Sequence, residues 1–367
     1  MTASSPHDKA WPELRPDARI YLRPLIPANG LSLDQFELIL SSGGRATRTR
    51  VSRGDVQAGA AQAGAAARQR IAEQMARIDA AAGTICGIGL RQPRIMGVLN
   101  VTPDSFSDGG KHYDSRAAID TGMAMHQAGA HIIDVGGVST RPGSSAPGEA
   151  EELARVLPVI EALAPAGLIL SVDTRRAAVM EAALNAGAKI INDISALTAD
   201  PASLGLAAGR AAPVILMHMQ GSPESMQKAP AYGDVSLDIF DYLEARVAAC
   251  EAAGIPRQRL IVDPGIGFGK TAAHNLQILR DISLFRALGC ALMIGLSRKY
   301  FIGRLSAGEA GEAGEAAEAR MAGSIAGALY AISQGVQIVR VHDVRETAQA
   351  FRVWQAINSD VLDTEST

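Results

Sequence analysis

Residues 168–194, LILSVDTRRAAVMEAALNAGAKIINDI, decide the fold, because they contain a strand, a helix and a second strand in one short segment. The two ends of the segment are apolar runs of the kind that form strands buried on both faces. The Ala-rich middle has apolar residues at helical spacing. This order predicts two parallel, neighbouring strands joined by a right-handed crossover.

The same alternation occurs eight times from Ile95 onward, and eight such units in about 265 residues predict an α/β fold, a (β/α)8 TIM barrel. An open doubly wound sheet is the alternative. Against it, the first unit lacks the Gly-rich dinucleotide fingerprint, and polar residues follow nearly every strand instead of one switch point. The predicted strands are residues 95–100, 131–136, 168–174, 189–194, 214–219, 260–263, 291–296 and 336–342. The predicted helices include residues 115–128, 149–163, 176–186 and 239–253.

The chain is predicted to have three parts: a partly ordered N-terminal extension and linker at residues 1–92, the barrel at 93–360 and a C-terminal tail at 361–367. Within the extension, residues 18–27 predict one strand and residues 69–82 predict one helix. Because the extension lies outside the repeated pattern, we expect deletion of residues 1–90 to leave a folded, active barrel.

Two further segments are predicted to be irregular. Residues 41–67 are rich in Gly, Ala and Arg, which is typical of a poorly ordered linker. Their basic stretch is predicted to be a solvated loop instead of a binding arm; it contains Arg45, Arg48, Arg50 and Arg53. Residues 307–317, AGEAGEAGEAA, are repetitive and acidic and predict a mobile surface loop.

Composition excludes several classes of protein. Of 367 residues 47% are hydrophobic, which argues against global disorder, and 35 Lys+Arg against 38 Asp+Glu argue against nucleic acid as the main partner. No apolar run reaches the ~18 residues of a membrane span, and the N-terminal MTASSPHDKAWPEL lacks the apolar core of a signal peptide. We therefore expect a soluble cytoplasmic protein. Cys86, Cys250 and Cys290 form no CxxC pair, and this favours buried apolar residues over a disulfide framework or a zinc site.

Polar residues end nearly every predicted strand, which is where the active site of a TIM barrel lies. Acids and amides end the earlier strands, and they suit a ligand with a planar edge of N–H donors. Cations end strands seven and eight, where barrels often bind phosphate. The pattern predicts a polar, N–H-rich ring linked to a phosphate or diphosphate. The residues are Asn100, Asp134, Asp173, Asn192, Asp263, Ser297, Lys299, Arg340 and His342.

Two loops are rich in Gly, Pro, Ser and Asp: residues 101–110 (VTPDSFSDGG) and residues 137–145 (GVSTRPGSS). This composition is compatible with plain turns. It also suits mobile lids that bring Asp108, Thr140 and Arg141 over a ligand and exclude water.

Residues 265–271, GIGFGKT, are close to a phosphate-binding P-loop, but Pro264 stands where that motif requires Gly. We predict instead a loop that approaches a ligand with its backbone and presents Phe268 as an apolar wall. In LMHM (216–219), His218 is predicted to be a satisfied core residue, because no second metal ligand is suitably spaced. A Mg²⁺ ion shared with a diphosphate fits the oxygen-rich site better than zinc.

Eight ordered motifs extend this reading over residues 95–356. They are GVLNVTPDSFSDGG (97–110), GGVSTRPGS (136–144), VDTRR (172–176), INDIS (191–195), LMHMQGSP (216–223), VDPGIGFGK (262–270), GLSRKYFIG (295–303) and VRVHDV (339–344). Together they resemble the dihydropteroate synthase family, folate-pathway transferases that are sulfonamide targets. The resemblance implies condensation of 6-hydroxymethyl-7,8-dihydropterin diphosphate with 4-aminobenzoate, giving 7,8-dihydropteroate and pyrophosphate, with Mg²⁺ as cofactor.

The resemblance also implies roles for individual residues. The pterin would contact Asp134, Asp173, Asn192, Met217, Asp263, Gly295 and Lys299. The diphosphate and its Mg²⁺ would be bound by Asn100, Arg340 and His342, with Asn100 as the metal ligand. The aminobenzoate would lie among Phe106, Pro142, Phe268 and Ser297, with Asp108, Thr140 and Arg141 closing over it.

One position departs from the family motif GGESTRPG, because Val138 replaces its Glu. We expect altered loop packing without loss of activity. Two other interpretations stay open: a non-catalytic pterin-binding paralogue, and a corrinoid-dependent methyltransferase domain that binds pterin. The retained loops and anion site argue against both. The family is commonly dimeric, so we expect a homodimer that acts on small molecules.

Overall fold

The computed structural model describes residues 11–12, 14–15, 17–27, 33–80, 83–101, 111–138, 147–222, 225–307 and 316–358, except the side chains of residues 111–114. The chain forms two compact units. The first is Met1–Ala80 with Ser283–Gly289, and the second is Ala81–Ile282 with Cys290–Thr367.

The first unit contains a three-stranded antiparallel sheet and two helices. The strands β1 (Arg19–Pro24), β2 (Gln35–Ser42) and β3 (Arg45–Ser52) pair in that order, and α1 (Arg53–Gln62) and α2 (Ala65–Asp79) follow. Gln74 of α2 packs along β1, where its side chain accepts from Leu22 N at 2.8 Å and donates to Ile20 O at 2.9 Å. A helix side chain thereby supplies hydrogen-bond partners for backbone groups of the edge strand β1.

The predicted linker at residues 41–67 is wrong, because the segment forms β3, α1 and the start of α2. Gly43 and Gly44 have φ of +57° and +74°, which suits the tight turn between β2 and β3. Ser52 and Asp55 form a capping box that starts α1. The Ala content that suggested a linker is favourable in a helix.

The predicted Arg loop is wrong in secondary structure for the same reason, although Arg45, Arg48 and Arg50 are exposed, as predicted. Arg45, Arg48 and Arg50 lie on β3, and Arg53 is the first residue of α1. The Arg53 guanidinium makes an ion pair with Asp79 of α2, with Nη1 2.8 Å from Oδ2.

The second unit begins with a hairpin, β4 (Thr84–Ile85) and β5 (Ile88–Gly89), and continues into a closed barrel. Ile85 and Leu90 pack into the cluster that fills the barrel with Met96 and Met293. The parallel barrel strands are β6 (Arg94–Asn100), β7 (Ile132–Gly136), β8 (Ile169–Asp173), β9 (Ile190–Asp193), β10 (Val214–Met217), β11 (Leu260–Asp263), β12 (Ala291–Ile294) and β13 (Ile338–Val341). The predicted TIM barrel is confirmed.

Helices alternate with the barrel strands. They are α3 (Lys111–Ala128), α4 (Glu149–Leu163), α5 (Ala177–Asn185), α6 (Ser203–Gly209), α7 (Val235–Ala252), α8 (Ala272–Arg280), α9 (Tyr300–Ser306), α10 (Met321–Ser333) and α11 (Val344–Asn358). Within the described ranges, no helix has the length and apolarity needed to cross a membrane. Cys86, Cys250 and Cys290 form no disulfide within the described part of the chain. Residues 308–315 of the predicted acidic loop and the tail at 361–367 lie outside the described residues.

Candidate active site

Strand register places polar residues side by side at the carboxyl end of the barrel. Asn100 of β6 is paired with Gly136 of β7, Gly136 with Asp173 of β8, and Asp173 with Asn192 of β9. Because Gly136 has no side chain, the space between Asn100 and Asp173 stays open. A Cβ on Gly136 would lie 3.4 Å from Asp173 Cβ and 3.8 Å from Asn100 Oδ1.

Arg340 of β13 connects this row to a buried carboxylate. Its Nε donates to Asp134 Oδ2 at 2.7 Å, and its Nη2 donates to Asp173 Oδ2 at 2.8 Å. Asn192 Nδ2 donates to the same Asp134 oxygen at 2.9 Å. Asp134 is fully buried, and its other oxygen has no hydrogen-bond partner among the described residues. Four strands thus converge on one polar cluster.

The predicted separation of an acidic half from a cationic half is wrong at Arg340, which lies directly against two carboxylates. A buried carboxylate needs a counterion, and Arg340 supplies one for both. Burial raises the pKa of Asp173 to about 7; Arg340 opposes this rise, and Asp134 adds to it. Burial acts to lower the pKa of Arg340, but Asp134 and Asp173 together raise it. The cation therefore stays charged, while Asp173 titrates near neutral pH.

Asp263 and Met217 are register partners on β11 and β10, and both are buried. Asp263 Oδ1 accepts from Gly265 N at 2.7 Å. Burial raises the pKa of Asp263 in spite of this hydrogen bond. Gly295 lies at the same end of the barrel, where a Cβ would be 3.9 Å from Asp263 Oδ2 and 3.8 Å from Arg340 Cβ.

Lys299 lies over the ring of Phe268, with Nζ 4.0 Å from the ring centroid. Burial and then the Arg340 charge lower the pKa of Lys299 to about 8. The Lys299 stem runs past Gly267, where a Cβ would be only 2.9 Å from Lys299 Cδ. Phe268 also packs against Met217. Phe268 thus has a cation on its face, and its role as an apolar wall for a ligand stays a prediction.

The loop at 265–270 is tightly folded against the end of β10. Gly265, Gly267 and Gly269 have φ of +70°, +80° and +62°. A Cβ on Gly265 would lie 2.0 Å from His218 O, so the close approach requires glycine. The loop therefore packs its backbone against the end of β10, and the expected approach of this backbone to a ligand stays a prediction.

Ser297 and His342 hydrogen bond to each other at the ends of the last two barrel strands. His342 N donates to Ser297 Oγ at 3.2 Å, and Nδ1 lies 3.1 Å from the same oxygen. Burial and then the Arg340 charge lower the pKa of His342 to about 4. The predicted cationic His342 is therefore wrong in charge, because the imidazole is neutral at neutral pH.

Five predicted site residues cannot be placed, because Phe106, Asp108, Thr140, Arg141 and Pro142 lie outside the described residues. In the parts of the chain that are described, no group of three or more His, Cys, Asp or Glu could hold a metal ion.

The barrel is similar to proteins of known family. A profile of the family described as pterin binding enzyme matches residues 96–342. The dihydropteroate synthase of Escherichia coli K12 is 46% identical over 278 residues, which are 75% of this chain and 95% of that protein.

This chain belongs to the dihydropteroate synthase family.

Other members of the family are similar to this chain to the same degree. The dihydropteroate synthase of Neisseria meningitidis serogroup B is 47% identical, covering 74% of this chain and 94% of that protein. A solved Xanthomonas albilineans dihydropteroate synthase with 4-aminobenzoic acid has a TM-score of 0.69 and 45% identity, covering 75% of this chain and 96% of that chain. A Yersinia pestis dihydropteroate synthase with a sulfonamide drug has the same TM-score and identity, covering 75% and 98%.

The dihydropteroate synthase motifs do not reveal that side chains of two of them are in contact. Lys270 ends the motif VDPGIGFGK, and its Nζ lies 3.0 Å from His218 Nδ1 in the motif LMHMQGSP. Both side chains are buried, so the predicted satisfied core histidine is confirmed. The available signal was a lysine directly after an apolar, Gly-rich run, but it does not identify a partner 52 residues away.

Proposed function

We propose that this chain condenses 6-hydroxymethyl-7,8-dihydropterin diphosphate with 4-aminobenzoate, giving 7,8-dihydropteroate and pyrophosphate. Its relatives at 46–47% identity are dihydropteroate synthases, and the chain is accordingly a transferase of folate biosynthesis. The observation that carries the proposal is the cluster of Arg340, Asp134, Asp173 and Asn192 in a family barrel. It supplies carboxylate and amide groups for a pterin edge beside a cation for a diphosphate.

The pterin would be bound by its N–H-rich edge. Asp173, Asn192 and Asp263 present acceptors toward it, because planar N–H edges pair well with carboxylate and amide oxygens. Asp134 supports this edge by fixing Asn192 and Arg340. The ring faces would lie against Met217 and Lys299, and Gly295 would leave room for the ring.

The diphosphate would lie near the cations Lys299 and Arg340 and the neutral His342. Its departure breaks the C–O bond to the pterin methylene, and positive charge develops on the electron-rich pterin. The aminobenzoate nitrogen forms the new C–N bond and releases one proton to solvent. Preorganised cations stabilise the leaving diphosphate, and no side chain is needed as a covalent nucleophile.

The donors present suit a Mg²⁺ that is shared with the substrate. Asn100 offers one neutral oxygen at the end of β6, while Arg340 engages the carboxylates of Asp134 and Asp173. Mg²⁺ takes few protein ligands when phosphates supply the others. When bound beside Asn100, the ion would neutralise charge on the diphosphate.

The aminobenzoate would pack on Phe268 beside Ser297. By the family resemblance, Phe106 and Pro142 complete the apolar wall, and Asp108, Thr140 and Arg141 close over it. A solved X. albilineans relative holds 7,8-dihydropteroate, at 43% identity and a TM-score of 0.67.

A homodimer in the cytoplasm completes the proposal. Neighbouring helices α10 and α11 expose Tyr330, Val353 and Ile357 at 43%, 56% and 76%, and a second copy of this chain could cover such residues. Light scattering at several concentrations tests this, and a monomer throughout would contradict it.

Pyrophosphate release tests the proposed reaction. The purified chain is incubated with the dihydropterin diphosphate and Mg²⁺, with and without 4-aminobenzoate, and dihydropteroate is measured in parallel. We expect release that is coupled to dihydropteroate formation. Tight pterin binding without product would favour the non-catalytic paralogue.

A further inference from the structure

Lys270 is a buried lysine in the second unit that the proposed reaction does not use. It is 3% exposed, and its Nζ lies 2.9 Å from Phe268 O, 3.0 Å from His218 Nδ1 and 3.3 Å from His218 O. All three partners are neutral, and within the described ranges Lys270 has no ion pair. Burial lowers its pKa to about 7. Burying an ammonium group costs free energy. A methionine of similar length would fill the same space at a lower cost. The hydrogen bonds of Lys270 therefore need an explanation.

His218 is suited to be the fixed acceptor of this lysine. Burial and then the Lys270 charge lower its pKa to about 3, so the ring is neutral and one nitrogen is free to accept. The ring packs edge-on against Tyr242, with centroids 4.9 Å apart at 87°. The acceptor position is therefore set by packing at the end of β10.

Three consecutive carbonyls of the loop each accept from one side chain. Gln227 Nε2 donates to Gly267 O at 2.8 Å, Lys270 to Phe268 O at 2.9 Å, and Tyr232 Oη to Gly269 O at 2.7 Å. The lysine bond is the central one, and it fixes the peptide that carries the Phe268 ring. That ring is the one that lies 4.0 Å below Lys299 Nζ.

We propose that Lys270, held by His218, is a positioning residue that sets the Phe268 ring against Lys299 and thereby determines affinity for the aminobenzoate substrate. The proposal deepens the proposed function and rests on it. Because Lys270 acts on the wall of the aminobenzoate pocket, its loss should weaken binding of that substrate and leave binding of the pterin diphosphate nearly unchanged.

Steady-state kinetics of Lys270→Met test this directly. We expect KM for 4-aminobenzoate to rise about ten-fold, as for loss of one hydrogen bond to a charged group. We expect kcat and KM for the pterin diphosphate to stay within about two-fold, the pattern of lost ground-state binding. Lys189→Met, at an exposed lysine before β9, is the matched control and should match wild type in all three values.

A double-mutant cycle with Phe268→Ala separates positioning from general destabilisation. If Lys270 acts through the ring, Lys270→Met should change KM for 4-aminobenzoate by less than about two-fold in the Phe268→Ala background. Additive effects would overturn the proposal. Equal increases in both KM values, or wild-type kinetics of Lys270→Met, would overturn it too.

The His218 side tests the same contact if Lys270→Met does not fold. His218→Asn keeps an acceptor near the Nδ1 position, and His218→Leu has a similar size without one. We expect His218→Leu alone to raise KM for 4-aminobenzoate, and identical values for the two variants would overturn the proposal. A wild-type chain that makes no dihydropteroate would refute the proposed function, whereas an active chain with unchanged variants would refute only the role of Lys270.

Discussion

Arg340 donates from Nε to the fully buried Asp134 at 2.7 Å, and this contact joins the last barrel strand to the second. The two residues are 206 positions apart in the chain. The same guanidinium reaches Asp173 at 2.8 Å. Arg340 is thus both the counterion of the acids that are proposed to bind the pterin and the residue proposed to bind the diphosphate. We therefore expect binding of either half of the substrate to change the electrostatics of the other.

Arg340→Ala should destabilise the fold as well as reduce activity. It leaves buried carboxylates without a counterion, which costs about 3 kcal/mol in the free energy of unfolding. Asp173 already has a raised pKa of about 7, and without Arg340 it should bind a proton in the folded state more readily than in the unfolded state. Stability of the variant should therefore fall as pH rises through that value. Urea unfolding at about pH 5.5 and about pH 8 measures this, and an equal loss at both would contradict it.

Lys299→Ala should cut turnover strongly, by about 100-fold, because it removes a half-buried cation beside the proposed leaving diphosphate. The measurement is kcat for pyrophosphate release coupled to dihydropteroate formation. Lys189→Ala, at an exposed lysine before β9, serves as the control for loss of a lysine. A near-normal kcat in Lys299→Ala would show that Lys299 has no role in the reaction.

Lys270 should make the stability of the wild type depend on pH. Its pKa falls from 10.5 to about 7 on folding, so between these values the unfolded chain holds a proton that the folded chain lacks. The free energy of unfolding should then rise with pH across this window, by up to about 1.4 kcal/mol per pH unit. Unfolding of wild type and Lys270→Met is compared from about pH 7 to about pH 10. The same pH dependence of the free energy of unfolding in both proteins would refute the lowered pKa of Lys270.

Deletion of residues 1–80 should give an unstable or insoluble chain, contrary to what the sequence alone predicts. Ser283–Gly289 belongs to the first unit, and Ser283 Oγ donates to Pro24 O at 2.8 Å. Arg286 Nη2 also donates to Ile78 O at 3.3 Å. Deletion removes these partners from the segment that carries the buried Phe285. Solubility and thermal unfolding of residues 81–367 check this, and a stable, active fragment would restore the sequence-based prediction.

The barrel could be predicted because its signals are local. The strand predicted at residues 260–263 is Leu260–Asp263 in the structure, and the helix predicted at 149–163 is Glu149–Leu163. At residues 41–67 composition is misleading, and the Ser52 and Asp55 capping box is the signal in the sequence that marks the start of a helix.

The chemistry of the candidate site was predicted less completely, because it depends on contacts between distant parts of the chain. The residues at the strand ends are predictable, since parallel strands bring their carboxyl ends to one edge. Pairing of Arg340 with Asp134, and of Lys270 with His218, depends on side-chain directions inside the closed barrel. The neutral state of His342 likewise follows from burial, which the sequence does not report.

The assignment of Ser283–Gly289 to the first unit also has a consequence for the order of folding. The first unit is otherwise complete at Ala80, yet it acquires this last segment only after the ribosome has made about 200 further residues. Contacts between such distant segments are formed late and slowly. The N-terminal unit is therefore made first during synthesis but reaches its final form only after most of the barrel has been translated.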